Sequence, residues 1–203
     1  ICHIPNGIDA VFLKSRPNSS SQNRVNILCV GSLIPRKNFD CVIRAISASC
    51  FRERIQLNII GEGPERHNLE RLTDSLGLNH SVTFLGSIPP DQIHSNYKNA
   101  DIFVISSFSE GRPNVLIEAM ASGLAIVAAE IPGITELIQH NVSGCLFDPN
   151  DANQLTKLID ELLNSAETRH RLAQQAQLQV KVKCASWART AELYQQVYQS
   201  LFK

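Results

Sequence analysis

Charge of one sign is the first thing the sequence lacks: 19 Lys and Arg balance 19 Asp and Glu over 203 residues. No net field recruits a polyanion, which argues against a nucleic-acid partner, so any anion site has to be local. Long apolar runs are also missing. None approaches the roughly 20 residues that cross a bilayer, and the opening ICHIPNGIDA lacks a basic region followed by a hydrophobic core. These absences predict a soluble, cytoplasmic chain without an export signal.

Paired cysteines are absent as well. Cys2, Cys29, Cys41, Cys50, Cys145 and Cys184 are scattered with no C-x-x-C, and several lie in apolar stretches such as ILCVG, so they read as reduced core thiols. The 6 histidines show no zinc spacing, and neither a metal site nor a cofactor is expected. The N-x-S triplets at Asn18, Asn79 and Asn141 are about as many as chance gives in an Asn- and Ser-rich chain, and read as unglycosylated.

What is present is a rhythm. After a turn at PNGID and a polar, Ser-rich stretch, short apolar runs alternate with amphipathic segments from Val25 onward. VNILCVG is followed by NFDCVIRAISA, IQLNIIG by ERHNLERLTDSLG, SVTFLG by PDQIHSNYKNA, and DIFVISS by NVLIEAMASG. LAIVAA, a helix over about Gly133 to Gln139, and GCLFD continue it. The runs are nearly continuous in apolar residues, as strands covered on both faces should be. The pattern predicts an α/β fold with a doubly wound parallel sheet of about six strands. From Asp151, a plausible N-cap, only helices are expected, with Leu155, Leu158, Ile159 and Leu162 on one face. The last helix carries Trp187, Ala191, Tyr194, Val197, Tyr198 and Leu201 at helical spacing, a stripe that suits either its own core or a partner domain.

In an open parallel sheet, ligands gather beyond the carboxyl ends of the strands. Three loops there carry polar residues. GSLIPRKN places Arg36 and Lys37 just before a helix, where cations and helix amides can act on one phosphate; by position alone a bare Arg-Lys pair reads first as solvated surface. GEGPERHN has Gly61 and Gly63 for a tight turn or a close approach, but Arg66 stands where a dinucleotide fingerprint needs glycine. SSFSEGRPNVLIEAMASG is the informative loop. Pro113 suits the first helical position, and the amides around Asn114, Val115 and Leu116 form an anion cup. Glu110 and Glu118 bracket the cup and can accept from hydroxyl groups. A carboxylate repels phosphate, so its natural partner is a polyhydroxylated group attached to that phosphate, which describes a nucleotide sugar. Without further information, a solvated Glu110 and a helix-surface Glu118 remain the alternative.

The E-x7-E pair at Glu110 and Glu118, followed by AMASG, PGITE at Pro132 to Glu136 and SGCLFDPND, resembles the nucleotide-sugar-binding half of retaining GT-B glycosyltransferases, the glycosyl transferases group 1 family. PNGID, GSLIPRKN, LNIIGEGPE, VTFLGSIP and the aromatic terminal helix occur in the family's order, so the likeness spans nearly the whole chain. The resemblance implies a Rossmann-like fold. It implies that Glu118 binds the ribose hydroxyls of a UDP- or GDP-linked sugar and that Glu110 contacts the transferred sugar. Lys37 and the amides of Asn114 to Leu116 would hold the diphosphate, without a metal; Gly31 and Ser32 would line the same site together with Gly111. Backbone around Gly86 and Ser87 would line the base pocket. Many members carry Arg where this chain has Ser32, which leaves Arg36 as the second cation, and Arg112 stands where an aromatic is common.

The same likeness implies a domain plan. Residues 1–24 match the interdomain linker, residues 25–185 the donor-binding domain, and residues 186–203 a helix packing on an N-terminal domain absent from this sequence. The whole enzyme would transfer sugar to a polysaccharide or a saccharide or lipid-linked acceptor, as in lipopolysaccharide biosynthesis, at or peripheral to the inner membrane. A nucleotide-sugar epimerase, a phosphorylase-like enzyme and a non-catalytic nucleotide-sugar-binding module are the alternatives of the same fold.

Overall fold

A computed structural model describes residues 7–13, 24–183 and 185–201 of the chain. It begins with a two-residue strand, β1 (Gly7–Ile8), and one helical turn, α1 (Ala10–Leu13). Then β2 (Val25–Val30), α2 (Phe39–Ala48), β3 (Ile55–Ile60), α3 (Arg66–Ser75), β4 (Val82–Gly86), α4 (His94–Lys98), β5 (Ile102–Ile105), α5 (Asn114–Ala121), β6 (Ala125–Ala129) and β7 (Cys145–Phe147) alternate. The chain closes with α6 (Ala152–Asn164), α7 (Ala166–Lys183), β8 (Ala185–Ser186) and α8 (Trp187–Leu201).

Six parallel strands form the main sheet in the order β4-β3-β2-β5-β6-β7, the doubly wound α/β arrangement expected from the rhythm of the sequence. Order reverses between β2 and β5, so the loops leaving these neighbours diverge and open a crevice at their carboxyl ends. The helices fall into two groups. α2 packs with α3 and α6, and α5 packs with α7 and α1. Side chains bind the groups internally: Thr156 Oγ1 donates to the Ala45 carbonyl at 3.1 Å, and Gln177 Nε2 to the Ala121 carbonyl at 2.9 Å. Asp151 caps α6 as expected, accepting from the Gln154 amide at 2.9 Å.

β5 and β6 are buried along their whole length, whereas β4, at the sheet edge, alternates buried and open positions. The expectation that every strand is covered on both faces fails there, because an edge strand with Thr83 and Leu85 facing outward has no second helix layer. A second correction concerns residues 133–139, which hold no helix; turns run over 132–137 instead. Gly133 has φ +83°, which a right-handed helix does not accept. A third is the strand that follows Asp151 after all: β8 pairs in parallel with β1.

Cys29, Cys41 and Cys145 are buried free thiols, but Cys50 is exposed, while Cys2 and Cys184 lie outside the described residues, as does the triplet at Asn18. Burial pushes the Cys41 and Cys145 thiols up to about 11. Part of the segment read as a linker belongs to the core: Phe12 of α1 is buried against Tyr97. On α8 the aromatic stripe is open, with Trp187, Tyr194 and Tyr198 exposed by 52%, 51% and 61%. No helix among the described residues is long and apolar enough to cross a membrane.

Candidate active site

The crevice between β2 and β5 brings Arg36, Lys37 and Glu110 together, whereas Gly86 and Ser87 stand at the end of the edge strand β4 and Glu118 lies farther along α5. Lys37 ends a 3-10 turn (Pro35–Lys37) after β2, and Glu110 lies in the loop after β5, 73 residues away. Lys37 Nζ stands 2.6 Å from Glu110 Oε1, with side chains 15% and 8% exposed. The Ser107 hydroxyl donates to the same oxygen at 2.6 Å, and Arg36 Nη1 lies 3.6 Å from Oε2. Arg36 also donates to the Ser109 carbonyl, and its own carbonyl accepts from the Phe108 amide at 2.9 Å. Glu110 is therefore neither solvated nor isolated, and both cations are engaged with the loop that carries it.

Asn38, which sequence reasoning passed over, builds this junction. It is buried with φ +54°, a left-handed conformation that Asn tolerates, and it joins the 3-10 turn to α2. Its Nδ2 donates to the Ser106 carbonyl at 3.2 Å and the Pro149 carbonyl at 2.8 Å. Ser106 Oγ returns a bond to the Lys37 and Asn38 carbonyls, each at 2.9 Å. Three loops from distant parts of the chain are thereby tied behind Lys37. An asparagine before an amphipathic run was the signal available, but it reads as an ordinary N-cap.

The acidic loop leads into α5, which starts at Asn114 with Pro113 just before it, one position later than expected. The Leu116 amide donates to the Pro113 carbonyl at 3.2 Å, so it is not part of an open cup. Asn114 and Val115 occupy the first two helical positions, at the positive end of the helix dipole. Glu118 follows just over one turn deeper and is half-buried. Burial raises its carboxyl above the ordinary range, opposed by the hydroxyl of Tyr97, which donates to Oε2 at 2.8 Å. The tyrosine was absent from the sequence reading. It lies on a different helix, with no motif to mark it.

PGITE, quoted earlier without a role, supports the acidic loop. A Cβ on Gly133 would fall 1.9 Å from the Gly111 carbonyl oxygen and 2.6 Å from that of Glu110. Only glycine lets the two loops touch there. Gly61 has the same function between the β2 and β3 loops, where a Cβ would meet the Gly31 carbonyl oxygen at 1.9 Å. The glycine is required by backbone packing at this point.

Gly31 and the exposed Ser32 open the loop after β2; a Cβ on Gly31 would contact the Lys37 side chain at 3.5 Å. Gly86 closes β4 with its carbonyl accepting the Gly61 amide at 2.8 Å, and Ser87 is exposed beyond it. Arg66 spans this corner, its guanidinium 5.0 Å from the Phe84 ring centroid and paired with Glu62 and Glu70. Among the described residues no group of three or more His, Cys, Asp or Glu stands close enough to hold a metal ion.

A cation and a helix terminus facing one crevice, with carboxylates on either side, can take an anion that carries hydroxyl groups at both ends. The family model described as glycosyl transferases group 1 matches residues 12–179. An uncharacterised glycosyltransferase of Methanocaldococcus jannaschii is 34% identical over 172 residues, covering 85% of this chain and 44% of that protein. A GDP-mannose-dependent alpha-(1-6)-phosphatidylinositol monomannoside mannosyltransferase of Mycobacterium tuberculosis is 27% identical, covering 79% and 46%. Among solved structures, sucrose-phosphate synthase from Thermosynechococcus elongatus superposes with a TM-score of 0.86 at 26% identity, covering 98% of this chain and 52% of that one. The C-terminal domain of a glycosyl transferase group 1 family protein from Francisella tularensis gives a TM-score of 0.77 at 25% identity, covering 87% of this chain and 98% of that one. This chain spans about half the length of the curated relatives it matches. With most of its length matched by the family model, the chain belongs to the glycosyl transferases group 1 family.

Proposed function

We propose that this chain is the donor-binding domain of a retaining glycosyltransferase, and that it takes a nucleoside diphosphate linked to a sugar. The observation that carries the reading is the meeting of Lys37 and Glu110 at the point where strand order reverses, beside the N-terminus of α5. Lysine has three N–H donors, so it can reach a phosphate without releasing Glu110. Lys37, Arg36 and the α5 terminus then stabilise the charge that develops on the departing diphosphate, the largest single contribution in such reactions. Glu110 accepts from the transferred sugar, Glu118 from the ribose diol, and the backbone at Gly86 and Ser87 lines the base. Gly31, Ser32 and Gly111, with the backbone of Asn114 and Val115, complete the lining. Structures of an Anabaena protein with this fold hold UDP or UDP-glucose, which supports the substrate class here.

The whole enzyme, on this reading, includes an acceptor-binding domain N-terminal to this one. It works at the cytoplasmic side on a saccharide or lipid-linked acceptor, as in surface polysaccharide synthesis, and keeps the anomeric configuration. The test is thermal unfolding of the chain with UDP, GDP, ADP and their sugar conjugates, with and without magnesium. A ligand at about 100 times its dissociation constant adds about 2.7 kcal/mol of stability. Stabilisation by one base class, equal in both magnesium conditions, is the expected result. No stabilisation by any nucleotide would overturn the assignment of the site, and an inverted product from the whole enzyme would overturn the mechanism.

A further inference from the structure

Tyr97 belongs to none of the strand-end loops. It stands on α4 with a fully buried ring, edge-on to Phe12 at 5.4 Å and stacked near Phe103 at 6.0 Å. A ring in that slot needs no hydroxyl; a buried phenol needs a partner. The partner here is Glu118, whose Oε2 accepts from the Tyr97 hydroxyl at 2.8 Å, with the Val115 carbonyl farther off at 3.4 Å. One hydroxyl has one proton, and the shorter, charge-assisted contact takes it. The phenol is rigid because two aromatic rings hold it, so the oxygen it fixes is held in turn.

We infer that Tyr97 is a positioning residue for the ribose carboxylate: its hydroxyl pins Glu118 Oε2 so that the carboxylate is oriented for a vicinal diol before the ligand arrives. The inference rests on the reading of Glu118 as the ribose ligand. A glutamate side chain has among the largest rotamer freedoms to lose. Held by Tyr97, it loses that freedom in the free protein, and binding gains by the difference. The carboxylate keeps enough acceptor sites for two hydroxyl groups, because each oxygen has two and Tyr97 occupies one of the four. Phe12 supports the phenol edge-on, so α1 contributes to the site through Tyr97.

The test titrates the 203-residue chain and its Tyr97→Phe variant with UDP and GDP, and with the 2′,3′-dideoxy forms of both, which lack the diol. Wild type is expected to prefer the ribose form of whichever base it binds. The variant is expected to lose about tenfold of that preference, about 1.4 kcal/mol, with affinity for the dideoxy form unchanged. A variant with the full preference overturns the inference while the donor reading stands. Equal loss for both forms also overturns it, since a merely structural role would act on both. Wild type without any preference for the diol removes Glu118 from the ribose and the inference with it, and wild type that binds no nucleotide overturns the donor reading itself. Where the variant fails to melt cooperatively, wild-type protein decides. The Tyr97 hydroxyl proton, located by its NOE to the Glu118 methylenes, is expected to stay protected from exchange with UDP or GDP bound. Its loss of protection on binding would overturn the proposal.

Discussion

Replacing Lys37 by Met keeps the aliphatic stem and deletes an ammonium 2.6 Å from Glu110 Oε1. Water screens the remaining charge poorly, since the Glu110 side chain is 8% exposed. Breaking a fully buried pair from one side costs about 3–5 kcal/mol. Here Glu110 keeps the Ser107 hydroxyl at 2.6 Å and Arg36 at 3.6 Å, which lowers the expected cost to about 2 kcal/mol. In a domain of this size that lowers the melting temperature by about 4–8 °C. Adding Glu110→Gln removes the charge left behind, so the double variant should return to within about 1 kcal/mol of wild type. Binding should not recover with it. Affinity for the nucleoside diphosphate is expected to fall about 10- to 100-fold in Lys37→Met and to stay low in the double variant. Urea unfolding of the four proteins of the cycle, with calorimetric titration of each, measures both quantities. A coupling energy below about 0.5 kcal/mol refutes the pair as a structural element, and a double variant that binds like wild type refutes Lys37 as the diphosphate ligand.

Gly133→Ala is expected to weaken nucleoside diphosphate binding more than tenfold, about 1.4 kcal/mol, because its Cβ displaces the Glu110 and Gly111 backbone. Gly77→Ala is the control, since its φ of +69° brings the same strain with no atom within 4 Å, and titration should show its affinity unchanged. Glu118 gives opposite pH signs to stability and recognition. Its folded carboxyl titrates above the unfolded one because of burial, so its contribution to stability is present at low pH and is lost as pH rises through the raised value. The ionised form accepts both ribose hydroxyls, so the preference for the diol is lost as pH falls through that value, and Glu118→Gln should flatten both profiles. Phe12→Ala should cost about 3 kcal/mol in urea unfolding, against a negligible cost if α1 were a detached linker.

The strands were legible because β5 and β6 are buried throughout and their sequences are unbroken apolar runs, which only a two-sided covering tolerates. Residues 133–139 misled for the opposite reason. ITELI has helical spacing, but Gly133 adopts φ +83° to touch the acidic loop, and a contact between distant loops overrides a local periodicity. The site divides along the same line. Lys37, Glu110 and Glu118 stand at strand ends or in the first turns of the following helices, where fold class alone directs attention. Asn38 and Tyr97 act through partners 68 and 21 residues away. Nothing in their immediate neighbours distinguishes them from a helix cap and a core aromatic.

The balanced composition and the local anion site are one arrangement seen at two scales. Lys37 and Arg36 stand on Glu110, and Arg66 stands between Glu62 and Glu70. Each of these groups has an internal counterpart, so little field extends from the crevice into solvent. A diphosphate entering it is not steered from a distance; it competes for Lys37 by contact. Salt screens exposed charges over about 8–10 Å but acts weakly on a half-closed pair. Nucleoside diphosphate affinity should therefore vary little with ionic strength between about 0.05 and 0.2 M, the range over which proteins with several exposed phosphate contacts lose several decades. A steep loss in titrations across that range would mean that exposed cations outside the crevice hold the diphosphate, and that the 2.6 Å pair of Lys37 and Glu110 is a bystander to binding.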